Sequence, residues 1–196
     1  MVMRCLTPSE AEAILGASGF SVSVKHAWYR VALVLERNLA AGQARIGGRP
    51  TPDVARLARF AEAVNRWLPT NRGRLLWVDH TSVAYPSPHA LFMAARAGLG
   101  ETRPLSAAPG HYFDPHPYDQ EDQTEISEEH AKQVGIMLGL MSLIMIGAWD
   151  AWLIADNSVN RVEFWEGNIF FHSSETPQIA RAKSLMREFN CPEDLR

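Results

Sequence analysis

Apolar positions along this chain recur with two spacings, every third or fourth residue and every second residue, and these spacings outline its elements. Thr7-Pro8-Ser9-Glu10 opens a helix: Thr7 caps, Pro8 suits the first helical position, and Glu10 reaches back to complete a capping box. That helix is expected to run to about Leu15, where Gly16 and Gly19 stop it. Residues 20–40 fit both spacings. Phe20, Val22 and Val24 alternate like a strand, whereas Trp28, Val31, Ala32 and Leu35 recur like a helix, and the reading taken is a helix over 27–40. Gly47-Gly48-Arg49-Pro50 reads as a loop. Thr51-Pro52-Asp53 restarts a helix whose Val54, Leu57, Ala58, Ala61, Val64, Trp67 and Leu68 share a face.

Leu75-Leu76-Trp77-Val78 is a short apolar run that fits a buried strand, and Ser87 caps a helix through Leu91, Phe92, Ala95 and Leu99. Residues 100–124 read as a long irregular segment with four prolines, a kind of loop that is often functional. From Val134 to Trp149 there is no charged residue. Sixteen positions fall short of the ~20 a bilayer requires, so this is read as the central buried helix of a domain, with a membrane-associated segment as the alternative. Gly135 and Gly139 form a small-xxx-small pair within it. A three-stranded antiparallel meander follows: Trp149 to Ala155, a turn at Asp156-Asn157-Ser158, Arg161 to Glu166, a tight turn at Gly167-Asn168, and Ile169 to His172. Thr176-Pro177 opens a final amphipathic helix. The expected fold is therefore a single α+β domain over 1–196. Helices pack on a small antiparallel sheet, made of the C-terminal meander plus the strand near residue 77, around the apolar helix.

Composition bears on partners more than on fold. Apolar residues make up 46% and charged residues 21%, as in a globular protein. The net charge of -3 conceals a division: residues 1–100 hold 12 basic and 6 acidic residues, and residues 101–196 hold 7 and 16. Seven acids and no Lys or Arg lie between Asp114 and Glu129. A sequence pI near 6.2 disfavours nucleic-acid binding, and the two halves are expected to complement each other within the fold or in a homodimer. Cys5 and Cys191 fit no metal or redox spacing and read as free thiols of a reducing, cytoplasmic compartment.

Chemistry is sparse. His111, Asp114 and His116, in the run from Pro109 to Asp119, offer nitrogen and oxygen ligands for a divalent metal, and a metal-bound water attacking an ester, amide or phosphate is the hydrolytic alternative. The opposing reading is a histidine that pins the loop through a backbone hydrogen bond, with no cofactor at all. His80, Ser82, Ser87 and His89 lack the Gly-x-Ser-x-Gly elbow of a hydrolase. Arg45 and Arg49 beside Gly47-Gly48 would suit an anion at the following helix start. Six tryptophans are many for this length; Trp152 and Trp165, with the acids Asp119, Glu121 and Asp122, are the candidate surface for a protein partner.

The chain also carries Tyr85-Pro86-Ser87, Pro109-Gly110-His111-Tyr112-Phe113, Gly147-Ala148-Trp149-Asp150-Ala151-Trp152-Leu153 and Trp165-Glu166-Gly167-Asn168. This order resembles a group of bacterial proteins with Trp-Pro-Ser, then Pro-Gly-His-x-Phe, then an apolar helix running into Gly-Trp-Asp-Ala-Tyr-Leu and a hairpin with Ser-His-Asp-Glu. The chain departs from that pattern by the inserted Ala148 and by losing His-Asp in the hairpin, which counts against catalysis there. In style it is similar to immunity proteins of bacterial toxin systems, which are small, acidic and catalytically inert. The resemblance implies a non-enzymatic, immunity- or accessory-type binding protein.

Overall fold

The computed structural model describes residues 3–27, 30–37, 44–50, 53–69, 72–79, 87–114 and 128–192. In chain order these form β1 (Arg4–Leu6), α1 (Pro8–Ala17), β2 (Phe20–Ala27), β3 (Arg30–Arg37), β4 (Ala44–Gly48), α2 (Val54–Trp67), β5 (Arg74–Val78) and α3 (Ser87–Ala97). There follow β6 (Gly110–Phe113), α4 (Glu128–Gly147), β7 (Ala151–Ala155), β8 (Arg161–Trp165), β9 (Asn168–Ser173) and α5 (Thr176–Glu188).

Local signals become local structure where the side chains can act alone. Thr7 Oγ1 accepts from Glu10 N at 3.3 Å and Thr7 N donates to Glu10 Oε2 at 2.7 Å, which satisfies two of the donors that a helix start leaves open. Asp53 caps α2, its Oδ1 accepting from Ala55 N and Arg56 N; Thr51 and Pro52 lie outside the described residues. The meander forms, and its tight connection between β8 and β9 falls one residue earlier than Gly167-Asn168: Glu166 (φ 49°) and Gly167 (φ 79°) make it, and Asn168 already belongs to β9.

The sheet is larger than expected. Its seven strands run in the order β1-β6-β5-β7-β8-β9-β4, with every neighbouring pair antiparallel. β5 lies beside β7, as the strand near residue 77 was expected to. Three strands were not foreseen. Gly47 and Gly48 belong to β4 rather than to a loop, because β9 supplies their pairing partners: Gly47 faces Phe170 and Gly48 faces Ile169. A Cβ on Gly47 would sit 2.0 Å from Phe170 Cδ1, so the ring occupies the space a side chain would need. β6 lies inside the segment expected to be irregular, held between β1 and β5. The helix expected over 27–40 is instead a hairpin, β2 with β3, paired from Phe20↔Arg37 to Ala27↔Arg30. Val22, Val24, Val31 and Val34 are β-branched and favour the pleated chain over a helix. Trp28, part of the helical reading, lies outside the described residues.

Alternation sends the two faces of the sheet to different cores. Leu76, Val78, Leu153, Val162, Phe164, Ile169 and Phe171 pack with residues of α2, α3, α4 and α5. Leu75, Trp77, Tyr112 and Ile154 turn the opposite way, to Ala11 and Leu15 of α1 and to Phe20. Trp67 Nε1 donates to Gln178 O at 2.9 Å and ties α2 to α5. α4 buries Met137, Leu140, Met141, Ile144 and Met145, then ends at Ala148 in a left-handed conformation (φ 54°) that lets Trp149 fold back into the core. Among the described residues no helix is long and apolar enough to cross a membrane. Leu140→Ala is expected to cost about 2–5 kcal/mol by transfer and cavity terms in urea unfolding, against less than ~1 kcal/mol for Ile146→Ala on the same helix. Equal losses at both positions would mean that α4 is not seated this way.

Candidate functional site

Of the residues proposed from sequence as metal ligands, the two that are described, His111 and Asp114, are separated. His111 is in the middle of β6, fully buried, in edge contact with Phe92. Its Nδ1 lies 3.2 Å from Leu76 O; a carbonyl only accepts, so Nδ1 carries the proton. Nε2 has no partner among the described residues. Burial, reinforced by the neighbouring Arg96 guanidinium, pushes its pKa from 6.5 down to about 3, so the ring is neutral in the fold. Asp114 follows the strand three positions later, on the opposite side by strand alternation, where its charge helps hold the Tyr112 phenol above its usual range behind burial and Asp156. His116, Asp119, Glu121 and Asp122 lie outside the described residues. Among the described residues no group of three or more His, Cys, Asp or Glu is placed to hold a metal ion.

Beside His111 a polar knot fixes the chain that leads from α3 to β6. Arg96 is fully buried and donates to Arg103 O at 3.0 Å and Ala108 O at 2.8 Å. Arg103 grips Glu101 through Nε–Oε1 at 3.0 Å and Nη2–Oε2 at 2.6 Å, which holds the Glu101 carboxyl at about 2. Part of the suspect segment is thus ordered by its own side chains. Cys5, paired in register with His111, is a free thiol whose pKa burial raises. Such a thiol stays protonated and is a poor nucleophile.

The second face of the sheet carries another constellation. His172 is buried in β9 and its Nε2 lies 2.9 Å from Glu163 Oε2, while Arg45 Nη2 is 3.6 Å from the same oxygen. The Arg45 guanidinium stacks on Phe170 at 3.6 Å. Arg45 is therefore engaged within the sheet, away from the helix start where an anion was expected. Trp152 packs between Phe20 (ring centroids 5.1 Å apart) and His172 (5.5 Å), so it is part of the core rather than a surface anchor. Trp165 differs: it is 44% exposed at the end of β8, next to the turn that Asp150 braces by accepting from Glu166 N at 3.0 Å.

The surface that sequence reading missed runs along α4. The expectation of a helix buried on all sides is corrected: Gly135, Gly139 and Ile146 face outward, Ile146 at 49% exposure, with Ser142 half-buried in the same row. Their spacing of four, three and four residues makes one stripe. Among the described residues, no atom beyond the helix's own neighbouring positions comes within 4 Å of a Cβ built on Gly135 or Gly139, which leaves a shallow groove there. Half-buried Val134, Ile136, Leu138 and Leu143 border it, and no charged residue stands between Lys132 and Asp150. The two glycines, set in a run of Leu, Met and Ile, were the signal that one side of this helix is exposed among the described residues. No protein-family model, curated protein or solved structure matches the chain.

The neutrality of His111 has a pH consequence. Its folded pKa lies below its unfolded value, so the unfolded chain binds more protons between about pH 6.5 and about pH 3. The stabilisation is complete above pH 6.5 and lost as pH falls through that window. Long-range proton–nitrogen NMR at pH 5 is expected to show His111 still neutral with the proton on Nδ1. A protonated His111 ring in the folded protein at that pH would contradict the burial described.

Proposed function

We propose that this chain is a non-catalytic protein-binding protein, of bacterial immunity or accessory type, that docks a partner on the outward stripe of α4. The observation that carries this is the uncharged exposed face. Helices that meet water place charges outward, and this one places Gly135, Gly139 and Ile146 there over a stretch with no charged residue. Close helix–helix approach favours small residues, because backbones can then draw together. Trp165, exposed at the end of β8, is the kind of aromatic anchor that concentrates binding energy. Its turn is adjacent to the end of α4: a Cβ on Gly167 would lie 3.2 Å from that of Ala148. The unpaired Cys5 and Cys191 support a reducing, cytoplasmic setting.

Gly139→Arg tests this cleanly. The position is open and Arg is the better helix former by about 1 kcal/mol, so the melting temperature is expected to hold or rise. Affinity purification of the tagged native chain, with mass measurement of the complex, is expected to give a stable hetero-complex. Gly139→Arg and Trp165→Ala are each expected to weaken that complex at least about tenfold, near 1.4 kcal/mol. A chain that purifies alone, or a complex indifferent to Gly139→Arg, overturns the proposal. A complex containing two copies of this chain would reassign the stripe to self-association.

A further inference from the structure

A second recess lies away from α4, where the C-terminal end of α2, the β7–β8 turn and the N-terminal end of α5 meet. It is a cleft of about 640 Å3 whose lining includes Arg66, Arg72 and Arg181, with Glu175 as an acidic member. That volume suits a sugar-phosphate-sized molecule rather than a lone ion. The arginines come from three separate segments. Arg66 is on α2 and paired with Glu62 one turn before it, Arg72 precedes β5, and Arg181 is on α5. Arg72 and Arg181 have no carboxylate partner among the described residues. Arg181 is tethered by two long contacts, Nη1 to Gln178 Oε1 and Nη2 to Arg66 O, each 3.4 Å, which leave its fork weakly engaged.

The remaining lining is rich in neutral hydrogen-bonding groups: Asn157, Ser158, Asn160 and Gln178. Asn160 is 2% exposed, yet its Oδ1 has no partner among the described residues. A buried amide oxygen without a donor is costly, and a hydroxyl brought by a ligand would satisfy it. The first turn of α5 borders the same cleft, with Glu175 as its cap residue and the N–H groups of Gln178 and Ile179 bonded to Glu175 O. Two of the lining residues are tied together, Trp67 Nε1 donating to Gln178 O.

We infer that this cleft binds a small organic phosphate: Arg72 and Arg181 grip the phosphoryl oxygens, and the amides of Asn157 and Asn160 take the hydroxyls of the organic part. Guanidinium forks match phosphate oxygens two at a time, which a single lysine charge does not. This site is independent of the α4 stripe, so its test does not depend on a protein partner.

The test is calorimetric titration of the full chain with glucose 6-phosphate, adenosine monophosphate and inorganic phosphate, beside glucose and gluconate. At least one organic phosphate is expected to bind, more tightly than inorganic phosphate, with glucose silent. Arg72→Ala/Arg181→Ala is expected to weaken it at least tenfold. Arg181→Lys keeps the charge but not the fork, so it is expected to fall between and serves if the double variant folds poorly. Lys183→Ala removes a cation of α5 that does not line the cleft and is expected to change nothing. No binding of any phosphate at millimolar concentration overturns the inference, as does binding indifferent to the arginine variants. Gluconate binding as tightly as glucose 6-phosphate overturns the phosphate assignment.

Discussion

A helix of twenty residues whose last fourteen, from Val134 to Gly147, carry no charge must be covered along most of its length, and the molecule is arranged to cover it. One face of the sheet supplies Leu153, Val162 and Phe171, and α2 supplies Phe60, Ala61 and Val64 to the same core. Each large side chain buried this way contributes roughly 1.5–3 kcal/mol. The positive φ of Ala148 follows from the same demand, since the chain must turn sharply for Trp149 to join that core. Among the described residues the covering stops along Gly135, Gly139 and Ile146, which are exposed.

The two faces of the sheet follow different rules. Towards the helices it is mostly apolar, with buried His111 and Arg74 among the aliphatic and aromatic side chains. On the other side, apolar Leu75 and Ile154 lie in one cross-strand row with Arg161, His172 and Arg45. The charges there are tied down by geometry: Arg161 donates to Ser18 O at 3.0 Å, and Glu163 lies between His172 and Arg45. The opposite charge of the two halves of the chain finds part of its use here, since Arg45 comes from the basic half and Glu163 from the acidic one.

What the sequence revealed depended on how far a residue's partner lies along the chain. The capping box of Thr7 and Glu10 and the meander were legible because each is complete within a few residues, though the tight turn expected at Gly167-Asn168 lies one residue earlier, at Glu166-Gly167. β4 was not, because two glycines carry no strand preference and only β9 makes them a strand. Residues 20–40 satisfied both periods, and tertiary pairing decided between them. The histidine of Pro109-Gly110-His111 invited a metal reading, but only the burial around it could show a neutral ring bound to Leu76 O. The cleft left no linear trace, since Arg66, Arg72 and Arg181 belong to no common motif.

The sheet draws both of its outer strands from the early part of the chain. β1 awaits β6 and β4 awaits β9, each far downstream. During synthesis the amino-terminal half therefore leaves the ribosome with strands whose partners do not yet exist. β1, β6 and β5 can pair once Phe113 has emerged, whereas β4 finds its partner only when β9 follows. The sheet's edge at β4 therefore stays open until its latest-made strand, β9, is in place.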